Sequence, residues 1–211
     1  MTRLLHIIAS PRGRRSRSTA IARRIIQALD GMEIEELALF DVRLPAFDGA
    51  AIEGRNALIE GQDVAPEVKA EWERIGEMVD HLLGFDIWLF SVPMWNFGIP
   101  YPLKHYVDLV TQPRLAFGVD AAGNVEGMAA GRTAIIIASG ALDIRPDNAL
   151  EALDHQITYL AAWLNFIGVT DIRTVRIKPT FGDPAMVDPV MEAAYAEADA
   201  VARDLSRPER V

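Results

Sequence analysis

The chain has no cysteine in its 211 residues, which excludes disulfides, thiolate nucleophiles, iron–sulfur clusters and cysteine-based zinc sites. It has no apolar run long enough to cross a bilayer, and its first residues show no signal-peptide cleavage pattern. The expectation is therefore a cytoplasmic protein with no membrane partner. Positive charge is also in short supply. Thirty acidic residues against 21 basic ones leave a net charge of −9, which argues against nucleic acid as a partner because phosphate backbones need a basic face. The Gly-x-x-x-x-Gly-Lys-Ser/Thr loop of nucleoside triphosphate hydrolysis is missing, and so is the Gly-x-Gly-x-x-Gly turn of tight dinucleotide binding. No Gly-x-Ser-x-Gly elbow exposes a serine nucleophile. His6, His81, His105 and His155 have no metal-ligand spacing, so each is expected to be a satisfied or surface side chain.

What is present reads as one domain over residues 1–211, half of it hydrophobic. Short β-rich apolar runs alternate with helical patterns, the signature of a parallel sheet covered on both faces. The strands are expected at Leu4–Ser10, Met32–Leu39, Asp86–Val92, Thr133–Ser139 and Asp171–Ile177. Helices are expected at Ser18–Leu29, Pro66–Leu83, Tyr101–Val110, Asn148–Phe166 and Pro189–Leu205, from apolar residues recurring every three or four positions. Five strands and five helices suit a doubly wound order of 2-1-3-4-5. Residues 40–62 read as an irregular connection. Residues 115–128 read as a small inserted hairpin, either covering a substrate beside the ligand crevice or lying on the surface without function.

Three segments fall at the carboxyl ends of strands, where open α/β sheets bind their ligands. Pro93-Met94-Trp95-Asn96-Phe97 places large flat and thioether side chains there, which makes sense if they hold a planar ligand. Asn96 adds an amide that can donate and accept at the ligand's polar edge. The segment from Ser10 to Ser18 joins the first strand to a helix N-terminus, a natural phosphate seat. Ser10, Ser16 and Ser18 supply hydroxyls there, and Arg17 a cation. Its hydroxyl-rich character suits a terminal monophosphate; the plainer alternative is that Ser18 caps a helix and the arginines are solvated. Ser139-Gly140-Ala141 is small enough to let backbone meet a ligand edge, or it simply ends a strand. Trp163, beside Ala161 and Ala162 on a helix flank, suits either a dimer contact near the partner's crevice or core packing.

Pro93-Met94-Trp95-Asn96-Phe97, followed by Pro102-Leu103-Lys104-His105-Tyr106-Val107-Asp108, resembles the flavin-binding segment of FMN-dependent NADH-azoreductases. The likeness runs from Ser10-Pro11 to Asn165-Phe166-Ile167-Gly168-Val169-Thr170-Asp171 and is loose only over residues 40–62. It implies a flavodoxin-like three-layer α/β sandwich and tightly bound FMN. It also implies a homodimer and two-electron reduction of quinones and azo compounds by NADH or NADPH. Hydride would pass through FMN N5 in a ping-pong cycle, with no protein residue required as catalyst. On this resemblance the phosphate falls to Ser10, Ser16, Arg17 and Ser18, and the ring to Pro93, Met94, Trp95, Asn96 and Phe97. The pyrimidine end falls to Ser139, Gly140 and Ala141, where the family often has Ser-Arg-Gly-Gly, so an arginine contact is missing here. Trp95, Phe117 and Trp163 are the expected substrate contacts. A flavodoxin-type electron carrier and an NADPH:FMN reductase are the alternative readings.

Overall fold

A computed structural model of the chain describes residues 1–206. The elements run β1 (Arg3–Ile8), α1 (Arg17–Gln27), β2 (Glu33–Ala38), α2 (Gly49–Ile59), α3 (Pro66–Leu83), β3 (Ile87–Pro93) and α4 (Tyr101–Val110). They continue with β4 (Phe117–Val119), β5 (Val125–Gly127), β6 (Thr133–Ser139), α5 (His155–Phe166), β7 (Asp171–Ile177) and α6 (Pro184–Leu205). Five strands make a parallel sheet of order β2-β1-β3-β6-β7. With the antiparallel β4–β5 hairpin set aside, that is the 2-1-3-4-5 order expected.

The sheet's central strands are apolar on both sides because both sides are covered. Successive side chains alternate between faces. Leu4, Leu89, Ile135 and Ile137 pack with Ile21 and Ile25 of α1 and Ala194, Ala198 and Ala202 of α6. On the other face Leu5, Ile7, Trp88, Phe90 and Ile136 meet Val79 of α3, Leu103 and Val107 of α4, and Leu160 and Leu164 of α5. The small alanines of α6 let it lie close to α1, and Arg24 clamps the pair by donating from Nε to Asp199 at 2.7 Å. Asp204 likewise takes a bond from Arg173 of β7. Two carboxylates of the last helix are thus engaged in ion pairs.

Several element limits differ from the expectation. The irregular connection contains α2, opened by Asp48, whose carboxylate accepts from the Ala51 N–H at 3.1 Å. The segment expected to be helical from Asn148 is a turn followed by a short 3₁₀ stretch at Glu151–Leu153. α5 begins only at His155, where Asp154 caps it by accepting from the Ile157 N–H. α6 starts five residues before Pro189, with Asp183 as its cap and Pro184 in its first turn, so Pro189 lies inside the helix.

The hairpin sits at the amino ends of the strands, not beside the crevice of its own chain. α4 leaves the carboxyl end of β3 and, at about 1.5 Å per residue, carries the chain roughly 15 Å back before the hairpin begins. The hairpin then docks on the turn between α5 and β7. Ala129 N–H donates to the Ile167 carbonyl at 2.7 Å, and the Phe117 ring lies 4.7 Å from that of Phe166. At its base Gly127 meets backbone so closely that an added Cβ would stand 2.0 Å from the Ile167 carbonyl carbon.

Candidate functional site

The loop between β1 and α1 is built around Ser16. Its backbone is extended and its Oγ accepts from the Thr19 N–H at 3.3 Å, so Ser16, and not Ser18, is the N-cap of α1. The Ser18 hydroxyl stands 3.1 Å from that of Ser16, and Ser10, Ser16 and Ser18 are all buried. Ser10 Oγ takes the Arg12 N–H at 3.4 Å. Arg17 Nη1 is buried and has no hydrogen-bond partner among the described residues. Burying an unpaired guanidinium donor is costly, and an anion seated against the serines would satisfy it. Arg12, Arg14 and Arg15 are exposed.

Beyond β3 the chain makes a two-residue turn. Trp95 and Gly98 exchange both backbone hydrogen bonds at 3.0 Å, and Asn96 and Phe97 between them have φ of 46° and 72°. Positive φ at both central positions is the primed hairpin turn, in which asparagine is well tolerated and phenylalanine is strained. Met94 N–H donates to the Ser139 carbonyl at 2.6 Å, tying the turn to the end of β6. Trp95 and Phe97 are 38% and 40% exposed, which is unusual for rings of this size and marks a surface awaiting cover. Asn96 is exposed too, and its side chain has no hydrogen bond among the described residues.

Two aromatic residues that sequence reasoning missed complete the group. The Phe40 ring lies 5.7 Å from Trp95 and 5.8 Å from Tyr101. Trp95, Asn96, Tyr101, His105 and Phe47 line an open cleft of about 740 Å³. His105 is half-buried and its Nε2 is buried there without a partner among the described residues, so this histidine is neither the satisfied nor the surface side chain expected. Beneath the turn, buried Gln156 donates to the Val92 carbonyl at 2.8 Å, while its own carbonyl oxygen has no partner among the described residues. Signals for these residues were thin. Phe40 is far from Trp95 in sequence, and Gln156 is one polar residue in an apolar helix.

At the end of β6, Ser139 and Gly140 are buried and Ala141 is exposed. Gly140 is bonded on both sides, its N–H to Ile177 and its carbonyl to the Thr180 N–H. A Cβ there would press on the Lys178 stem at 3.3 Å. Lys178 is itself buried and paired with Asp154 at 2.8 Å; burial pulls its pKa down, and Asp154 opposes that pull.

Ser10, Ser16, Arg17, Ser18, Pro93, Met94, Trp95, Asn96, Phe97, Ser139, Gly140 and Ala141 therefore all lie at the carboxyl ends of β1, β3 and β6, on the last strand residues, the loops that follow or the first turn of α1, and those strands are neighbours in the sheet. Phe117 does not: it is on the hairpin at the far end. Trp163 takes the core role. It is 6% exposed, its indole N–H donates to Thr111 Oγ1 at 2.9 Å, and it stacks edge-on against Phe90. Satisfied and covered in this way, it has no face left to offer a substrate.

A three-layer sheet of this order, with hydroxyls and an aromatic turn at its switch point, defines a flavodoxin-like protein. The chain belongs to the family described as having a flavodoxin-like fold, whose model matches residues 2–202. It is 37% identical over 203 residues to FMN-dependent NADH:quinone oxidoreductase 2 of Pseudomonas syringae pv. tomato, covering 94% of this chain and 97% of that one. It is 36% identical to the FMN-dependent NADH:quinone oxidoreductase of Desulfotalea psychrophila over 97% and 98% of the two chains. Among solved structures it is similar to an FMN-dependent NADH-azoreductase from Bacillus anthracis in complex with FMN. There the TM-score is 0.88 at 25% identity, over 98% of this chain and 100% of that one.

Proposed function

We propose that this chain is an FMN-dependent NADH:quinone oxidoreductase that also accepts azo compounds and works as a homodimer. The observation that carries the reading is the convergence of a hydroxyl-lined phosphate seat, with its unpartnered Arg17 donor, and an exposed aromatic turn at one crevice. When bound, FMN supplies the redox chemistry, taking hydride from NADH and passing two electrons to the acceptor.

The chain's own part is to bind, orient and exclude. Ser10, Ser16 and Ser18 present hydroxyls, and Arg17 a charge-assisted bond, to the terminal phosphate. Met94, Trp95 and Phe97 offer the surface against which a planar ring packs. Asn96 stands at the same turn with its amide free. Ser139, Gly140 and Ala141 bring backbone groups to the pyrimidine edge, with no arginine among the three. Trp95 and Tyr101 leave flat apolar area for the acceptor, which suits quinones and azo aromatics but discriminates weakly among them. Protons for the reduced acceptor come from water at an open cleft.

The same surfaces support the dimer. Trp95, Phe97 and Tyr101 are exposed at one end of the sheet, and Phe166 with half-covered Phe117 at the other. One chain cannot bring these ends together, whereas a two-fold pair can set the hairpin of one subunit over the crevice of its partner. Phe117 then contacts substrate only across the interface.

The purified protein should show the visible spectrum of oxidised flavin and release FMN, identified chromatographically, on heating. It should oxidise excess NADH with menadione and no partner protein. A colourless protein that takes up no FMN ends the reading, and failure to turn over with menadione would make it an electron carrier instead. Light scattering that finds a monomer with full activity and bound FMN would refute the dimer.

A further inference from the structure

A separate cavity of about 280 Å³ lies between the end of β2, the loop that follows it, α3 and α4. It shares no wall residue with the open cleft at the aromatic turn. Its apolar wall includes Leu37 of β2, Val42 and Leu44 of the loop and Met78 of α3. Leu37, Leu44 and Met78 pack on the core yet stay only partly covered, so apolar surface faces a hollow that the chain itself leaves open.

Tyr106 of α4 also lines the cavity. It is 1% exposed, and its hydroxyl is buried with no hydrogen-bond partner among the described residues. Such a group is rare in a folded protein and costs stability until something bonds to it. Burial, helped by the charge of Glu35, raises the pKa of the phenol well above its ordinary value, so it stays a neutral donor. Glu35 in turn is bonded at 2.8 Å to His81, another wall residue. The hydroxyl end of the ring is therefore the end at the cavity.

The remaining charges of the wall balance. Arg74 pairs with Glu71 at 3.1 Å, while exposed Arg43 and Glu77 have opposite signs. The ligand that fits is neutral. Size narrows it further. An apolar cavity of roughly 150 Å³ holds one benzene, and drug-sized ligands need about 300 Å³ or more. This cavity thus takes a single substituted ring and excludes a flavin or a nicotinamide nucleotide.

We infer that the cavity is a second ligand site, for a neutral monocyclic aromatic molecule whose oxygen accepts a hydrogen bond from the Tyr106 hydroxyl.

Acetophenone is the probe, and α-methylstyrene, the same shape with a methylene group in place of the oxygen, is the control. Each is titrated into the protein as purified while NMR follows isotope-labelled methionine methyl groups. Met78 reports this cavity and Met94 the aromatic turn, with Met78→Leu identifying the first signal. Acetophenone should move the Met78 signal saturably, with a dissociation constant on the order of 1 mM or below. It should bind about fivefold or more tightly than α-methylstyrene, the worth of one hydrogen bond. Tyr106→Phe keeps the ring and loses only the hydroxyl, so the fold survives, and in it the two compounds should bind within about twofold of each other. A Met94 shift without a Met78 shift, or no shift at either, overturns the inference. Equal binding of both compounds to the wild type, or a preference that persists in Tyr106→Phe, overturns it as well. None of these readouts depends on bound flavin, so their failure is distinct from failure of the flavin reading.

Discussion

Acidification should destabilise this protein through His6, a side chain remote from any solvent. The imidazole is fully buried in the central strand β1. The network around it is complete for the neutral ring: Nδ1–H donates to Glu36, and Nε2, 2.7 Å from Ser91 Oγ, accepts the hydroxyl. Burial outweighs the attraction of Glu36 and brings the pKa down to about 4. An unfolded histidine titrates near 6.5, so between these values the unfolded chain binds a proton that the folded chain refuses. Stability is therefore full above pH 6.5 and is lost as pH falls toward 4. At 1.36 kcal/mol per pKa unit, the loss from this one group reaches about 2.5 kcal/mol at pH 4.5. Urea unfolding followed by circular dichroism at several values from pH 7 to 4.5 measures it, with His6→Gln as the control. Glutamine keeps a donor and an acceptor but cannot titrate. At pH 7 the variant should be less stable by roughly 1–3 kcal/mol, and the gap should close by about 2.5 kcal/mol on reaching pH 4.5. A gap that stays constant with pH, or widens on acidification, would refute the reasoning.

Ser16→Ala combined with Ser18→Ala should weaken FMN binding at least tenfold while riboflavin binding changes little; equal losses would show that no phosphate sits there. Asn96→Gly keeps the positive φ of the turn while removing the amide. It should slow reduction of FMN-saturated protein by NADH on the order of a hundredfold if the amide stabilises developing charge; an unchanged stopped-flow rate would leave Asn96 a turn residue only. Gly127→Ala must move backbone at Ile167 and should cost about 3 kcal/mol or more in thermal and urea unfolding. A variant with wild-type stability would mean that the hairpin base is not packed as described.

Where one chemistry determined an element, the sequence was enough. α3 and α4 end as expected, because a proline in the first turn and an apolar face mark each one. β6 and β7 do too, as dense β-branched runs between turns. α2 stayed hidden because Gly49 and Gly54 spoil its pattern and its support is tertiary. Gly54 faces Val68 so closely that an added Cβ would stand 2.4 Å from it, and Trp72 donates to the Ala51 carbonyl. Leu150 and Leu153 kept helical spacing across a break that only the Asp154 cap reveals. The crevice segments were legible because a strand's carboxyl end can be read from element order. The same order, with the length of α4, would have put the hairpin at the opposite end. The Phe40–Trp95–Tyr101 cluster was not legible, since nothing local joins its members.

Within its own chain, the hairpin has a fixed root and a tip held only by local bonds. Its base is pinned backbone to backbone, while at the tip Asp120 alone organises the bend, accepting from the Ala122 and Asn124 N–H groups. An engineer who wished to lengthen this chain, attach a reporter or move its termini would choose the bend between Asp120 and Asn124. There the added residues would hang from a stalk: the sheet would still close around its own core, and any loss would fall on the pairing of subunits proposed above.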